Sequence, residues 1–371
     1  MIGLYDIIGR PLGFLMRIIN SFFSNYAVSI IIFTIVTKLI LLPFNYSMQK
    51  SSARQTLLAP KLEKLKKSYA NNPTKFQEEQ QKLFQEEGVN PAASCLPSLI
   101  QMLLLFGVID VVYKPLTHIL GFSKNIIQSA NEIAETTTGN LRNELIVMQR
   151  LNELSDKFKL LEGDFFNKVS EFRENFTFFG ADLGETPTLH PEAWTKEAIV
   201  LAIIPFLAGL AQLVSSLYTQ MHQKKMNPNM QGQGCMTIMF VTMPLLSVIW
   251  GFNLPAGVGF YWIWSALIST LVTFALNQYF SPERIKVINE KEKAKAKAYA
   301  EKHPEKKTFM QRMLEQQQAL ENEQNSARRT ANGDKISRSE MNKINREQLR
   351  EARKRMAEKY GDSYDDNDDE D

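Results

Sequence analysis

Cysteine is nearly absent: the chain has two, Cys95 and Cys235, each just ahead of an apolar block and neither in a CxxC or Cys/His cluster. A disulfide framework and a thiolate metal site therefore have no support. The four histidines, His118, His190, His222 and His303, are scattered, so spacing supplies no nucleophile–base pair. No acid–base or metal constellation lies at a common place along the chain. The expectation is a protein that is not an enzyme and needs no cofactor. Residues 1–20 carry Arg10 and Arg17 around Pro11, without the small-residue pattern of signal cleavage.

What the chain does have is apolar residues gathered into blocks. The mean hydropathy of −0.22 would suggest a soluble protein, but that average mixes apolar blocks with the almost wholly polar residues 281–371. A helix crossing a bilayer core needs about 20 mostly apolar residues. Five blocks meet or approach this: 27–44, 96–113, 198–218, 236–252 and 256–280. The second and fourth are short, and either alone would equally suit a buried soluble helix. Together the blocks predict an all-α integral membrane protein with five transmembrane helices.

Charge sets the orientation. Loop lysines and arginines near span ends favour the cytoplasmic side. The segment between the first two spans carries Lys50, Arg54, Lys61, Lys64, Lys66, Lys67, Lys75 and Lys82, and the link after span three adds Lys224 and Lys225. The long loop 114–197 carries nine Lys/Arg, which weigh little in so long a segment. The N-terminus is thus expected outside and the C-terminus in the cytoplasm.

The resulting domain plan is an interfacial amphipathic helix on the external side over 1–24, then a first span over 25–46. A cytoplasmic helical hairpin follows over 47–95, a second span over 96–115 and an external loop over 116–197. Spans three to five are placed at 198–220, 236–252 and 256–280, with a cytoplasmic loop at 221–235 and a basic tail over 281–371. In the hairpin, Leu58, Leu62, Leu65 and Tyr69 recur at helical spacing, Pro60 should kink or restart the first helix, and Asn71-Asn72-Pro73 separates the second. Such narrow stripes suit a mobile element resting on headgroups or a partner, and equally a solvated spacer. The tail holds 21 Lys/Arg against 13 Asp/Glu before residue 362, and seven acidic residues close it. It suits anionic lipid or ribosomal RNA, with a merely solvating tail as the alternative. Asp110, near the outer end of span two, is read as interfacial.

Inside the spans, Lys38 stands out. An ammonium in the bilayer interior is costly, at least about 2.5–3.5 kcal/mol on insertion scales, and commonly marks function. Snorkelling is the competing reading, since Lys38 lies about 7.5 Å from the inner end of its span. Gln101 lies at a similar depth on the second span. Gln212, Ser215 and Ser216 fall in the same half of the third, and Thr34 and Thr37 accompany Lys38 on the first. Matched depth suits a water-filled recess open to the cytoplasm; interhelical bonding is the alternative for the serines and threonines.

These residues also carry a resemblance. Asn25-Tyr-Ala-Val-Ser-Ile-Ile with Lys38 and Pro43, Gly88-Val-Asn-Pro with Cys95-Leu-Pro-Ser-Leu-Ile-Gln101, Phe178-Phe179-Gly180 with Asp182-Leu183, and Leu254-Pro-Ala-Gly with Tyr261-Trp262 resemble the motifs of the YidC-type membrane protein insertases, over about residues 10–280. The resemblance implies a five-helix core around a hydrophilic groove, open to the cytoplasm and lipid, that inserts nascent membrane proteins in the bacterial cell membrane without nucleotide or cofactor. It implies groove contacts from Lys38, Thr34, Thr37, Gln101, Gln212, Ser215, Tyr261 and Trp262. Implied partners are nascent chains, the ribosome, the Sec translocon and anionic lipids. Where the family carries arginine in the groove, this chain has Lys38, which keeps the charge but loses the planar fork of donors. A transporter or channel is the rival class and would show paired repeats. A membrane anchor presenting the basic tail is the third, and leaves Lys38 and the glutamines unexplained.

Overall fold

The computed structural model describes residues 4–87, 96–137, 139–226 and 233–302. The stretch 88–95 with Cys95, the link 227–232 and the tail beyond 302, with its basic cluster, acidic end and His303, lie outside the described residues. Met1–Ala296 forms one compact unit, and residues from Lys297 on fall in a second. Among the described residues the chain is helical apart from one short two-stranded ribbon.

Helix α1 (Leu4–Phe22) packs along α6 (Leu96–Tyr113). Glycine makes the close approach possible. A Cβ on Gly13 would sit 2.7 Å from Cβ and Cγ of His118, and one on Gly9 would collide with the carboxylate of Asp110. The sequence places Asp110 at the water interface; in the fold its side chain is buried. It pairs with Lys114 at 2.6 Å and with His118 Nε2 at 2.6 Å. The helical spacing of four residues from Asp110 to Lys114 brings these groups to one face, and α1 covers them. Arg17 of α1 donates from Nε to the His118 carbonyl at 3.1 Å.

Asn25 caps α2 (Tyr26–Ile40), its side chain accepting from the Val28 N–H at 3.1 Å. The helix stops at Ile40, and α3 (Leu42–Leu57) departs at 56°. Pro43, in the first turn of α3, cannot donate to the preceding turn, and its ring would clash with that turn's carbonyl. The stretch expected as the first span, 25–46, thus folds as two helices bent at residue 41. Pro60 sits in the first turn of α4 (Ala59–Ser68), which is followed by α5 (Pro73–Glu86). These two helices share a small core of Leu58, Phe84 and Leu62.

Between α6 and α11 the chain makes a π-helical turn, Leu116–Leu120, four helices and the ribbon. The helices are α7 (Lys124–Ile133), α8 (Asn143–Gln149), α9 (Ser155–Phe158) and α10 (Phe165–Asn175); the strands are β1 (Thr177–Phe178) and β2 (Ala181–Asp182). The segment expected as an external loop thus extends the main hydrophobic core, with Leu151, Phe158, Phe165, Val169 and Phe176 fully buried. Tyr26 joins it to α2, stacking on Phe176 at 4.2 Å.

Helix α11 (Lys196–Met226) and α13 (Ala256–Tyr279) are long and apolar enough to cross a membrane by length and composition, and the bent pair α2–α3 adds a third if it is one broken span. The described parts of α6 and α12 (Gln233–Gly251), Ile100–Tyr113 and Thr242–Gly251, are shorter apolar stretches. Helices α11 and α12 pack closely, since a Cβ on Gly251 would lie 2.8 Å from Pro205 Cβ. Two motifs distant in sequence meet at the start of α13. Its first N–H groups, at Ala256 and Gly257, donate to the carbonyls of Glu185 and Leu183 at 2.8 Å each. Gly257 is needed there, because a Cβ would crowd the Leu183 oxygen at 3.3 Å.

Candidate functional site

Lys38 lies in the last turn of α2 and is 4 % exposed. Its Nζ donates to Gln101 Oε1 of α6 at 3.1 Å. The two residues singled out for matched depth are thus in direct contact. Gln101 is a neutral acceptor, so it satisfies one of the three ammonium donors and leaves the charge uncancelled. Among the described residues no carboxylate lies within ion-pair distance of Lys38. Asp110 stands nine residues along α6 from Gln101, about 13.5 Å of helix rise, and is occupied by Lys114 and His118.

Thr34 and Thr37 are buried beside Lys38. Their hydroxyls donate within their own helix, Thr34 Oγ1 to the Ile30 carbonyl at 2.7 Å and Thr37 Oγ1 to the Thr34 carbonyl at 2.9 Å. Each oxygen keeps only acceptor capacity, which complements an ammonium or a substrate N–H. Tyr261 of α13 is fully buried, its ring 6.5 Å from that of Phe33, and its hydroxyl has no hydrogen-bond partner among the described residues. Trp262 is partly buried against the same apolar core that holds Tyr261.

Gln212 and Ser215 sit partly buried on α11, and the structure gives neither a hydrogen bond to Lys38. Two polar clusters escaped sequence reasoning. Near the far end of α13, the Asn277 amide is bonded to Gln49 of α3 and donates to the Tyr218 hydroxyl at 3.0 Å. Asn277 was visible as a polar residue in an apolar run; its partners were not. The second cluster joins the hairpin to α14 (Pro282–Lys302). Arg54 donates from Nε to Asn289 Oδ1 at 2.8 Å and from a terminal nitrogen to the Glu87 carbonyl at 3.0 Å. The buried Glu87 carboxylate pairs with Lys61 at 2.6 Å and with Lys293. Burial alone would raise the Glu87 carboxyl, but Lys293 and Lys61 outweigh it and hold it below the usual glutamate range.

These features define a helical membrane protein with a buried, uncompensated cation between α2 and α6. The chain belongs to the YidC family: the family model described as 60Kd inner membrane protein matches residues 18–284. Relatives named Membrane protein insertase YidC include one from Chlorobium limicola, 25 % identical over 266 residues, covering 72 % of this chain and 35 % of the relative. Another, from Clostridium perfringens, is 41 % identical over 100 residues, 27 % of this chain and 42 % of the relative. One from Chloroherpeton thalassium is 26 % identical over 283 residues, 76 % of this chain and 38 % of the relative. The matched regions cover less than half the length of each of these relatives. Family and apolar helices together make it a multi-pass protein of the cell membrane.

Proposed function

We propose that this protein is a membrane protein insertase that works through a hydrophilic groove centred on Lys38, needing neither nucleotide nor cofactor. The observation that carries this reading is the contact between buried Lys38 and neutral Gln101. In this reading α2–α3, α6, α11, α12 and α13 form five spans around the groove, with Thr34, Thr37, Gln212, Ser215, Tyr261 and Trp262 as further contacts. The N-terminus lies outside, and the hairpin, α14 and the tail lie in the cytoplasm.

The physical case is one of solvation. A wet recess shortens the apolar distance that polar flanks of a nascent segment must cross, and a charge left uncancelled by Gln101 favours acidic flanks. Snorkelling alone does not require a hydrogen-bond partner on a neighbouring helix. Nascent membrane proteins are the clients. The basic tail and hairpin are suited to the ribosome and to anionic lipid, and the groove is free to act alone or beside the Sec translocon.

A photocrosslinker at Lys38, Gln101 or Trp262 during translation of a short membrane protein should capture the nascent chain. Adducts elsewhere in the protein but at none of the three would overturn the groove. Lys38→Leu should impair insertion of clients with acidic translocated regions, whereas Lys38→Arg should preserve it. Equal insertion by both variants would remove the role of the charge.

A further inference from the structure

The ribbon β1–β2 turns through two residues, Phe179 and Gly180, since Thr177 pairs with Asp182 and Phe178 with Ala181. Both turn residues have positive φ, 50° at Phe179 and 86° at Gly180. A two-residue turn of this hand favours asparagine or glycine at its first position. A bulky residue there is strained, because its Cβ meets the neighbouring backbone. Phe179 bears this strain and yet is 80 % exposed. Its one aromatic neighbour is the adjacent Phe178, edge-on at 4.6 Å. Nothing in the packing of the described chain explains a phenylalanine there; an asparagine would make the same turn more easily.

The placement of the turn supplies the explanation. Phe178 packs at 4.7 Å on Phe260, four residues into α13, about 6 Å along the helix from its start. On the other flank, a Cβ on Gly180 would lie 3.6 Å from Oε1 of Glu197, the second residue of α11. The tip is therefore clamped between the first turns of the two longest apolar helices. Trp194, just ahead of α11, is also exposed. Exposed Phe and Trp side chains are among those that a membrane-surface segment buries at the headgroup–acyl boundary.

We infer that the Phe179 turn is a lipid anchor, seating its ring in the headgroup–acyl boundary of the bilayer beside the N-terminal ends of α11 and α13. The anchor holds the helical segment α7–α10 against the membrane face and fixes the height of the ribbon on which the start of α13 is hydrogen-bonded. The inference rests on the reading that α11 and α13 cross the bilayer.

The test uses the full chain with Cys95 and Cys235 changed to serine, reconstituted in phosphatidylcholine–phosphatidylglycerol vesicles. Phe179→Cys is labelled with a small fluorophore and quenched by nitroxide lipids spin-labelled at the headgroup or deep in the chain, and by aqueous iodide. Quenching by the headgroup nitroxide should exceed that by either of the others. With no fluorophore present, the same thiol should react several-fold more slowly with a membrane-impermeant maleimide than Glu162→Cys, an exposed position in the same segment. Strong iodide quenching with reactivity equal to position 162 would place Phe179 in water and overturn the inference. Shielding from all three quenchers would indicate cover by a second copy and overturn it as well. Leu210→Cys, exposed on α11 fourteen residues past its start, separates the two claims. Deep-nitroxide quenching there, with Phe179 in water, would sink the anchor alone. Its absence would sink the spanning reading and the anchor together.

Discussion

Replacing Glu87 by glutamine examines whether the hairpin α4–α5 is free or held. The carboxylate is 8 % exposed, whereas its partners Lys61 and Lys293 are 58 % and 35 % exposed. Removing one member of a fully buried pair costs about 3–5 kcal/mol, because the other charge is stranded. Here the stranded cations can turn to water, so the loss is nearer that of one charged hydrogen bond, about 2 kcal/mol. Lys61→Met should cost much less, about 0.5 kcal/mol, since Lys293 still holds the carboxylate and Lys61 is a mostly exposed partner. Hydrogen exchange of the α5 amides, with the protein in lipid nanodiscs, reads the difference. Local opening should rise roughly 30-fold in Glu87→Gln and about twofold in Lys61→Met, at 1.4 kcal/mol per tenfold. Equal changes in the two variants, or none in either, would refute the idea that a buried carboxylate ties the hairpin to α14. The pH dependence follows the same sign. A carboxyl held below its usual range contributes stability at neutral pH, which is lost as pH falls through its depressed folded value. A spin-label distance between α5 and α14 should therefore stay constant down through the ordinary glutamate range and lengthen only in stronger acid.

Other perturbations address the opposite end of α6. Gly13→Ala should lower the melting temperature in detergent, with an overpacking cost of about 1–3 kcal/mol, because the added methyl meets the buried His118 ring; an unchanged melting temperature would mean that α1 is not docked as described. Glu144 is buried, accepts from the backbone N–H of Thr117 at 3.0 Å, and is raised above the usual glutamate range by that burial. Its ionisation opposes folding as pH rises, so Glu144→Gln should be neutral or stabilising, with a gain larger at pH 8 than at pH 5. Gln101→Glu would place a carboxylate against Lys38 and should impair acidic clients as Lys38→Leu does, by cancelling the charge instead of removing it. Unimpaired insertion by Gln101→Glu in a reconstituted assay would count against an electrostatic role for Lys38.

Hydropathy found the apolar helices because burial in lipid asks only for length and composition, and α11 and α13 satisfy both. It was least informative where a local rule overrode the apolar run. Pro43 ends the first helix several residues before the hydropathy does, and α3 then leads away from it. The segment 116–197 was illegible for a different reason. Its core is built from aromatic residues spread over short helices, so no stretch carries enough periodicity to announce a fold. Asp110 shows a third kind of miss. Counting residues along α6 assigns a depth, but depth alone does not say what covers a side chain. Gly9 and Gly13, nearly a hundred residues earlier, supply the cover. Their signal, two glycines one helical turn apart, is weak without a partner helix to read it against.

The site was more legible than the loops because a charged residue within an apolar helix is conspicuous, and helical rise converts its position into depth. That reasoning put Lys38 and Gln101 at matched depth with several other polar residues, and of these Gln101 bonds the Lys38 ammonium. It has no means of finding angle, however, and the structure gives Gln212 and Ser215 no hydrogen bond to the cation. Depth is one coordinate; the azimuth of each helix is set by packing. Small residues do that work here: Gly257 seats α13 on the Leu183 carbonyl, and Gly251 brings α12 against α11. The seating of α13, and with it the place of Tyr261, thus depends on backbone approach at a residue that carries no charge at all. Gly257→Val should accordingly impair insertion by shifting α13 and with it Tyr261, although no proposed groove residue is itself replaced; unchanged insertion in a reconstituted assay would refute this.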